Sequence, residues 1–187
     1  MILAADRIET ERLILRPPRR EDAPRIAELA NHKAIARNLG LMPHPYGLED
    51  ALAYIARVES TAPPGAAFAI TVKDDGDRFA GAVGYGTRAD NGRMDMGYWL
   101  GMPYWGKGYA TEAAAAIVAH AFEIAGLDAL PSGYHADNPA SGHILIDKLG
   151  FEHVGREMQF SAGAGEAVDT VLVRLTRARW QALRSAA

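Results

Sequence analysis

The octapeptide Trp105-Gly106-Lys107-Gly108-Tyr109-Ala110-Thr111-Glu112 constrains this chain more than any other stretch. Two glycines one residue apart break the backbone, and an alanine-rich helical pattern follows at once. Just upstream, Met94-Asp95-Met96-Gly97-Tyr98-Trp99-Leu100 reads as a strand. Strand, glycine turn and helix N-terminus in that order aim several unpaired backbone N–H groups, and the positive end of a helix dipole, at one point. Such a point holds phosphate oxygens without needing a basic side chain. The sequence therefore predicts a site for a phosphate-bearing ligand, the alternative being a turn that merely connects two elements.

Two phosphate loops fail on the letters. Gly101 to Lys107 has Walker A spacing, but Gly108 stands where the magnesium-binding hydroxyl must be. A dinucleotide fingerprint needs a third small residue three places after its second glycine, and here that place holds Thr111. That fingerprint also belongs near the start of its fold, whereas this strand lies midway along the chain.

A chain of 187 residues is long enough for one substantial core and short for two, so residues 1–187 read as a single domain. The net charge of −3 comes with no basic block, which argues against nucleic-acid binding. No apolar run reaches bilayer-spanning length, so no membrane role is predicted. Met1-Ile2-Leu3-Ala4-Ala5 is too short, and lacks the basic flank, for a signal peptide. The chain has no cysteine, which excludes disulfides and thiol catalysis and fits a cytoplasmic protein. No metal is predicted.

Along the chain, Arg12 to Arg16 reads as a strand closed by Pro17-Pro18, and Asp22 as the cap of a helix running to about Asn31. A second helix is predicted over about Leu48 to Thr61, with Leu48, Leu52, Ile55 and Val58 at helical spacing. Between them lies an irregular stretch, Leu39 to Gly47, rich in chain breakers. Strands at Phe68–Val72, Phe79–Thr87 and Met94–Leu100 follow, joined by turns at Asp74–Asp77 and Asp90-Asn91-Gly92. Gly81, Gly84 and Gly86 imply a bulge or close backbone approach in the middle strand. The helix from about Ala110 to Ala125 is apolar nearly all round and should be buried, His120 included as a structural residue. A strand near Ser132–Ala136, a helix near Ser141–Leu149, strands near Phe151–Phe160 and Thr170–Leu175, and a short helix capped by Thr176 complete the pattern.

The glycine loop and its flanks resemble the coenzyme A loop of the GNAT acetyltransferases. That family's pattern is Gln or Arg, two residues, Gly, one residue, then Gly or Ala; Gly108-Tyr109-Ala110 matches its second half, with Trp105 in place of the Gln or Arg. Asp137-Asn138-Pro139-Ala140-Ser141 with Lys148-Leu149-Gly150-Phe151 is similar to the family's second coenzyme-binding motif. Thr10 to Arg16, Glu21-Asp22-Ala23, Pro43-His44-Pro45-Tyr46 and Val171 to Leu175 resemble further family segments in the right order. The whole set is most similar to the branch of ribosomal-protein N-terminal acetyltransferases, the RimJ/RimL-like enzymes.

The resemblance implies a mixed α/β (α+β) fold whose mostly antiparallel, bent sheet is flanked by helices and splays open at the acetyl-CoA site. It implies transfer of acetyl from acetyl-CoA to a primary amine, with a protein N-terminus as leading acceptor and small amines as others. The rival is a non-catalytic acyl-CoA-binding sensor; a homodimer stays open. Cofactor contacts fall on Gly106, Lys107, Gly108, Tyr109, Ala110 and Thr111 for the pyrophosphate, and on Tyr98, Trp99 and Leu100 for the pantetheine arm. Lys107 is equally readable as a solvated side chain, and Thr111 and Glu112 as helix-start residues. Asn138 and Ser141 take the family's polar contacts, where Asn138-Pro139 also reads as a turn and Ser141 as a helix cap. His44 and Tyr46 border the acceptor.

For the chemistry, Asp95 and His135 are the candidate bases. The tyrosine that many family members use as general acid would fall near Leu145 and is absent, which leaves Ser141 as donor to the departing thiolate. The stretch from Ser141 to Lys148 carries one residue more than the usual spacing, enough to form a π-bulge or loosen the helix. Without cysteine, an acetyl-cysteine intermediate is impossible, and direct attack of the amine on the thioester is the simpler route. An N-terminal amine is appreciably neutral near pH 7, a lysine only about one part in a thousand, so the first needs far less help from a base.

Overall fold

Among the described residues, nine strands share one sheet: β1 (Ile2–Leu3), β2 (Ile8–Glu9), β3 (Leu13–Arg16), β4 (Ala66–Val72), β5 (Phe79–Thr87), β6 (Met94–Leu100), β7 (Ala129–His135), β8 (Glu152–Ser161) and β9 (Glu166–Thr176). Their order across the sheet is β1-β2-β3-β4-β5-β6-β7-β9-β8. The computed structural model describes residues 1–3, 6–88 and 91–186. The turn expected at Asp90-Asn91-Gly92 therefore lies in part outside the described residues. Every pairing is antiparallel except β6 with β7, which run parallel because α4 (Tyr109–Glu123) crosses over between them.

The parallel pair is the weak seam. Among the described residues β6 and β7 share one registered contact, Met96 with Ser132, while β6 pairs with β5 over seven positions and β7 with β9 over seven. The Ser132 hydroxyl donates to the Met96 carbonyl at 2.9 Å. Beyond that point the two strands part, which is the predicted splay.

Packing follows the apolar pattern. In α4, Ala113, Ala114, Ala116, Ile117, Val118, Ala121 and Phe122 are buried, and the small alanines let the helix lie close against the sheet. His120 is buried in the same helix, its Nδ1 3.0 Å from the Tyr85 hydroxyl, in the structural role expected. Within β5 the glycines allow close approach: a Cβ at Gly81 would stand 2.2 Å from the Trp99 carbonyl oxygen, and one at Gly84 2.5 Å from that of Ala66. A register shift at Ile70/Thr71 adds the bulge.

Several local expectations need correction. The second long helix, α3 (Leu48–Glu59), buries Ala51 and Ile55, while Leu48 is half exposed: the helix sits turned toward its small residues. A four-residue helix, α2 (Lys33–Ala36), follows α1 (Ala23–Ala30) and was not legible from periodicity in so short a run. After α5 (Pro139–Gly142) the chain continues as a π-helix over His143–Lys148, which absorbs the extra residue counted there. Thr176 does cap α6 (Arg177–Ser185), accepting from the Arg179 amide at 3.2 Å.

Asp22 does not cap α1 through its side chain. Its carboxylate instead accepts two hydrogen bonds from the buried Arg16 guanidinium, at 2.8 and 2.9 Å, and one from the Arg19 amide at 2.7 Å. Arg16 Nε also reaches Asp77 Oδ1 at 3.2 Å, and the Thr71 hydroxyl donates to the same oxygen at 2.7 Å. This cluster ties the start of α1 to β3 and to the β4–β5 turn. Removing one partner leaves a guanidinium in a site closed to water. Asp22→Ala is expected to lower stability by about 3–5 kcal/mol, read as a shift of the urea midpoint, with a much smaller loss for Arg16→Met combined with Asp22→Leu.

Candidate active site

The free edge of β6 is defined by backbone parity. Gly101 donates to the Ala80 carbonyl at 2.9 Å, and Trp99 sits opposite Ala82, so odd-numbered residues of this stretch spend their backbone groups on β5. Even-numbered residues face β7: the Met96 carbonyl takes the Ser132 hydroxyl. The Leu100 carbonyl takes the Trp105 indole N–H at 2.7 Å. Where the strands part, the Tyr98 backbone groups and the Leu100 N–H therefore face the opening. Trp99 turns away from it, its ring 5.7 Å from that of Phe79.

The glycine loop follows. Gly106 and Gly108 have φ of +72° and +77°, in the left-handed region that side chains avoid. A Cβ at Gly106 would meet nothing within 4 Å, so that glycine serves conformation, not space within the protein. Gly108 is the N-cap of α4, and no side chain caps the helix there. The Glu112 amide is bonded to the Gly108 carbonyl at 3.1 Å, which leaves the amides of Tyr109, Ala110 and Thr111 without a helical partner. A 15-residue helix with a bare N-terminus, reached through two left-handed glycines, fits an anionic ligand such as a pyrophosphate.

A clamp holds this loop from the far side. Glu112 accepts from the Thr10 hydroxyl at 2.5 Å, from the Arg12 amide at 2.8 Å and from Arg12 Nε at 2.7 Å. Arg12 also donates through Nη1 to the Lys107 carbonyl at 2.8 Å, and its guanidinium lies 4.8 Å from the Tyr109 ring centroid. Burial works to raise the Glu112 pKa, but these hydrogen bonds outweigh it and hold the carboxyl below its usual range. Glu112 thus sets the start of the helix, as one of its two readings held. Arg12 was missed as part of this site because no local pattern joins residues 100 positions apart. Lys107 lies over the Tyr104 ring, 5.9 Å from its centroid.

Across the opening, Asn138 starts α5 and its side chain accepts from the Ser141 amide at 3.3 Å. The Ser141 hydroxyl lies 2.9 Å from the hydroxyl of Tyr98, which reaches over from β6. Burial pushes the Tyr98 phenol up to about 12, with the Ser141 hydrogen bond acting the other way. Leu145, at the place of the missing tyrosine, is fully buried in the core, and Lys148 ends the π-helix.

Alternation along the strands puts Asp95 and His135 on the opposite sheet face from Tyr98. Asp95 forms an ion pair with Arg88 at 3.3 Å. His135 is buried, and that burial holds its imidazole below the usual range, with the charges of Arg37 and Arg88 adding to the effect. A hydrogen bond to the Arg37 backbone and the charge of Asp137 work against them. The irregular stretch near residue 40 closes over this face, pinned by the β8–β9 hairpin tip: Ser161 Oγ donates to the Leu39 carbonyl at 3.0 Å and the Ala162 amide to that of Gly40 at 2.9 Å. His44 is exposed. Tyr46 is buried in the core, its phenol pushed up to about 12 by that burial, so it forms wall rather than proton carrier.

Among the described residues no group of side chains could hold a metal ion, and no helix is long and apolar enough to cross a membrane. The acetyltransferase (GNAT) domain model matches residues 12–152. Curated relatives include an uncharacterized N-acetyltransferase, p20, of Bacillus licheniformis, 27% identical over 171 residues, covering 90% of this chain and 94% of that protein. Among solved structures, the ribosomal L7/L12 alpha-N-protein acetyltransferase RimL, in complex with coenzyme A, superposes with a TM-score of 0.75 at 17% identity, covering 93% of this chain and 99% of its own. The microcin C7 self-immunity acetyltransferase MccE, in complex with acetyl-CoA and AMP, gives 0.74 at 19% identity over 89% of this chain and 93% of its own.

Glu112→Ala removes three hydrogen bonds to a carboxylate that is mostly screened from water. The expected loss of stability is about 2–3 kcal/mol, read by urea unfolding. The loosened loop should weaken coenzyme A binding by roughly tenfold in calorimetry, and an unchanged affinity would show that the clamp does not shape the loop.

Proposed function

This chain belongs to the GNAT acetyltransferase family, and on that premise we propose that it acts as a single-domain acetyltransferase on protein N-termini, in the manner of the RimJ/RimL-like branch. Family and relatives already make it an acetyl-CoA-dependent acyltransferase. The observation that carries the proposal further is the parting of β6 and β7 after Met96 and Ser132, directly ahead of an uncapped helix N-terminus. An extended arm ending in a pyrophosphate fits that pair of features. Gly106, Lys107, Gly108, Tyr109, Ala110 and Thr111 receive the pyrophosphate through their amides. Tyr98 and Leu100 receive the pantetheine through the free edge of β6, and Asn138 holds the start of α5 against it.

The amine lone pair forms the new C–N bond while the C–S pair leaves on sulfur. The proton shed by nitrogen passes to His135, Asp95 or water, and Ser141 donates a hydrogen bond to the departing thiolate, which then takes its proton from solvent. Backbone N–H groups at the end of β6 face the carbonyl oxygen as charge develops on it.

The choice of acceptor rests on how much base the site supplies. Asp95 is engaged by Arg88, and His135 is a weak base, its pKa lowered by burial. Such a site suits an amine of low pKa, and an N-terminal amine at about 7.7–8.0 is already partly neutral at pH 7. The likeness of Trp105–Glu112 to the ribosomal-protein branch supports the same choice, and RimL, whose name carries such a substrate, shares the fold.

The experiment is free-thiol release from acetyl-CoA across N-terminal peptides, polyamines and amino acids, in which this cysteine-free protein adds no background. Release driven by N-terminal peptides is expected; release with polyamines alone would overturn the acceptor, and coenzyme binding without any release would favour a sensor. His135 also sets a pH dependence. Because its folded pKa lies below the ordinary value of about 6.5, the folded chain resists a proton that the unfolded chain accepts. Stability should therefore decline as pH falls below about 6.5 and through the lower folded pKa, and His135→Gln should remove that part of the decline, read by urea unfolding across pH.

A further inference from the structure

Two hydroxyls, those of Tyr98 and Ser141, meet at this site, and the first is not where the family resemblance looks for one. Tyr98 shares its strand face with Met96 and Leu100, whose side chains are buried. Its own side chain spans the gap between the parted strands and brings the phenol oxygen to 2.9 Å from Ser141 Oγ and 3.5 Å from the Ser141 carbonyl. Among the described residues, that phenol is the hydrogen-bond partner of the Ser141 hydroxyl. On the far side of the helix, a Cβ at Gly142 would stand 2.8 Å from the Tyr134 ring, so α5 is seated against β7 and cannot drift from this contact without moving that ring.

A serine hydroxyl has one proton, and its direction decides what Ser141 can do. If Ser141 donated to Tyr98, its proton would be spent and nothing would remain for a leaving group. If Tyr98 donates to Ser141, the serine proton is free to point into the opening. Either hydroxyl can be the donor at 2.9 Å; the phenol is the stronger acid of the two, which favours donation from Tyr98 to Oγ. Burial and the Ser141 contact are what act on the phenol, and burial keeps it protonated, hence a donor, throughout the neutral and mildly alkaline range.

We propose that Tyr98 is the positioning residue for the hydrogen bond to the leaving group in this enzyme: its hydroxyl donates to Ser141 Oγ, and this turns the Ser141 proton toward the sulfur of the bound coenzyme. The proposal rests on the reading of Ser141 as the group that meets the departing thiolate. It also accounts for Leu145, since a donor assembled between β6 and α5 makes a tyrosine on the following helix unnecessary.

The test needs no acceptor. A hydroxyl that donates to sulfur favours the thiolate, so coenzyme A should have a lower thiol pKa when bound than when free. Its affinity should then rise with pH as the free thiol's pKa is approached, relative to that of desulfo-coenzyme A, which has no thiol to titrate. Calorimetric titration of both ligands with the wild-type chain, Tyr98→Phe, Ser141→Ala and the double variant measures this difference. The expected result is a slope in the wild type that is lost in each single variant, with no further change in the double. Desulfo-coenzyme A reports whatever affinity each variant loses apart from the thiol, and the comparison is made relative to it. With the acceptor in hand, kcat should fall about tenfold or more in Tyr98→Phe at little change in KM, and the two losses should not multiply. A wild-type slope that survives in Tyr98→Phe overturns the role of Tyr98 and leaves the acetyl-transfer reading standing. A slope that survives in Ser141→Ala but not in Tyr98→Phe overturns it too, because Tyr98 would then act directly. Failure of both ligands to bind sinks the coenzyme reading and the proposal with it.

Discussion

One hydrogen bond, from the Ser132 hydroxyl to the Met96 carbonyl, marks where the parallel strands stop touching. Everything that makes a site of this surface depends on their parting there. At that pair the two strands are in register; beyond it, Tyr98 and Leu100 carry backbone groups on an open edge. Parallel strands need a crossover, and here α4 supplies it, so its N-terminus comes to lie at the mouth of the gap. Neighbouring strands satisfy each other's backbone groups elsewhere in the sheet. The gap is the exception, and an extended ligand bearing amides and phosphates is the kind of molecule that could satisfy both its edge and its helix end.

The gap has two chemically different sides. On the α4 side stand Tyr98 and Ser141, two hydroxyls in contact with each other. On the other stand Asp95 and His135, among Arg37, Arg88 and Asp137. Under the proposed mechanism this separates the donor to the leaving group from the acceptors of the amine proton, with the strand itself as the partition. That separation follows from the two-residue period of β6 and β7. It needs no special device, since a one-residue change of register would move each side chain to the wrong face.

Most of this fold was legible in the sequence, and the failures have physical causes. The glycine loop, the buried α4 and the strands around them were readable because each is coded locally, by Gly106 and Gly108, by a run of alanines, by alternation. The clamp of Arg12 and Thr10 on Glu112 was not, because it joins positions about 100 residues apart and neither end carries a local signature. Asp22 looked like a cap, which is what an aspartate before a helix commonly is; the buried guanidinium of Arg16 outcompeted that role. Tyr98 was legible as a backbone contact alone, since nothing in a strand's letters says which helix its side chain will reach. Leu48 misled for a related reason: helical spacing fixes which residues share a face but not which face the core will choose.

The extra residue between Ser141 and Lys148 and the leucine at 145 are best understood together. One residue inserted into an α-helix turns everything after it by about 100°, which would carry Leu149 and Phe151 off their packing. The π-helix over His143–Lys148 takes up the insertion in place, and Phe151 stays buried. Residue 145 lies in the apolar core, where a phenol would need a hydrogen-bond partner and a leucine needs none. Under the proposed mechanism the donor comes from Ser141, positioned by Tyr98. Ser141 precedes the distortion and Tyr98 lies on the opposite strand, so neither is moved by it.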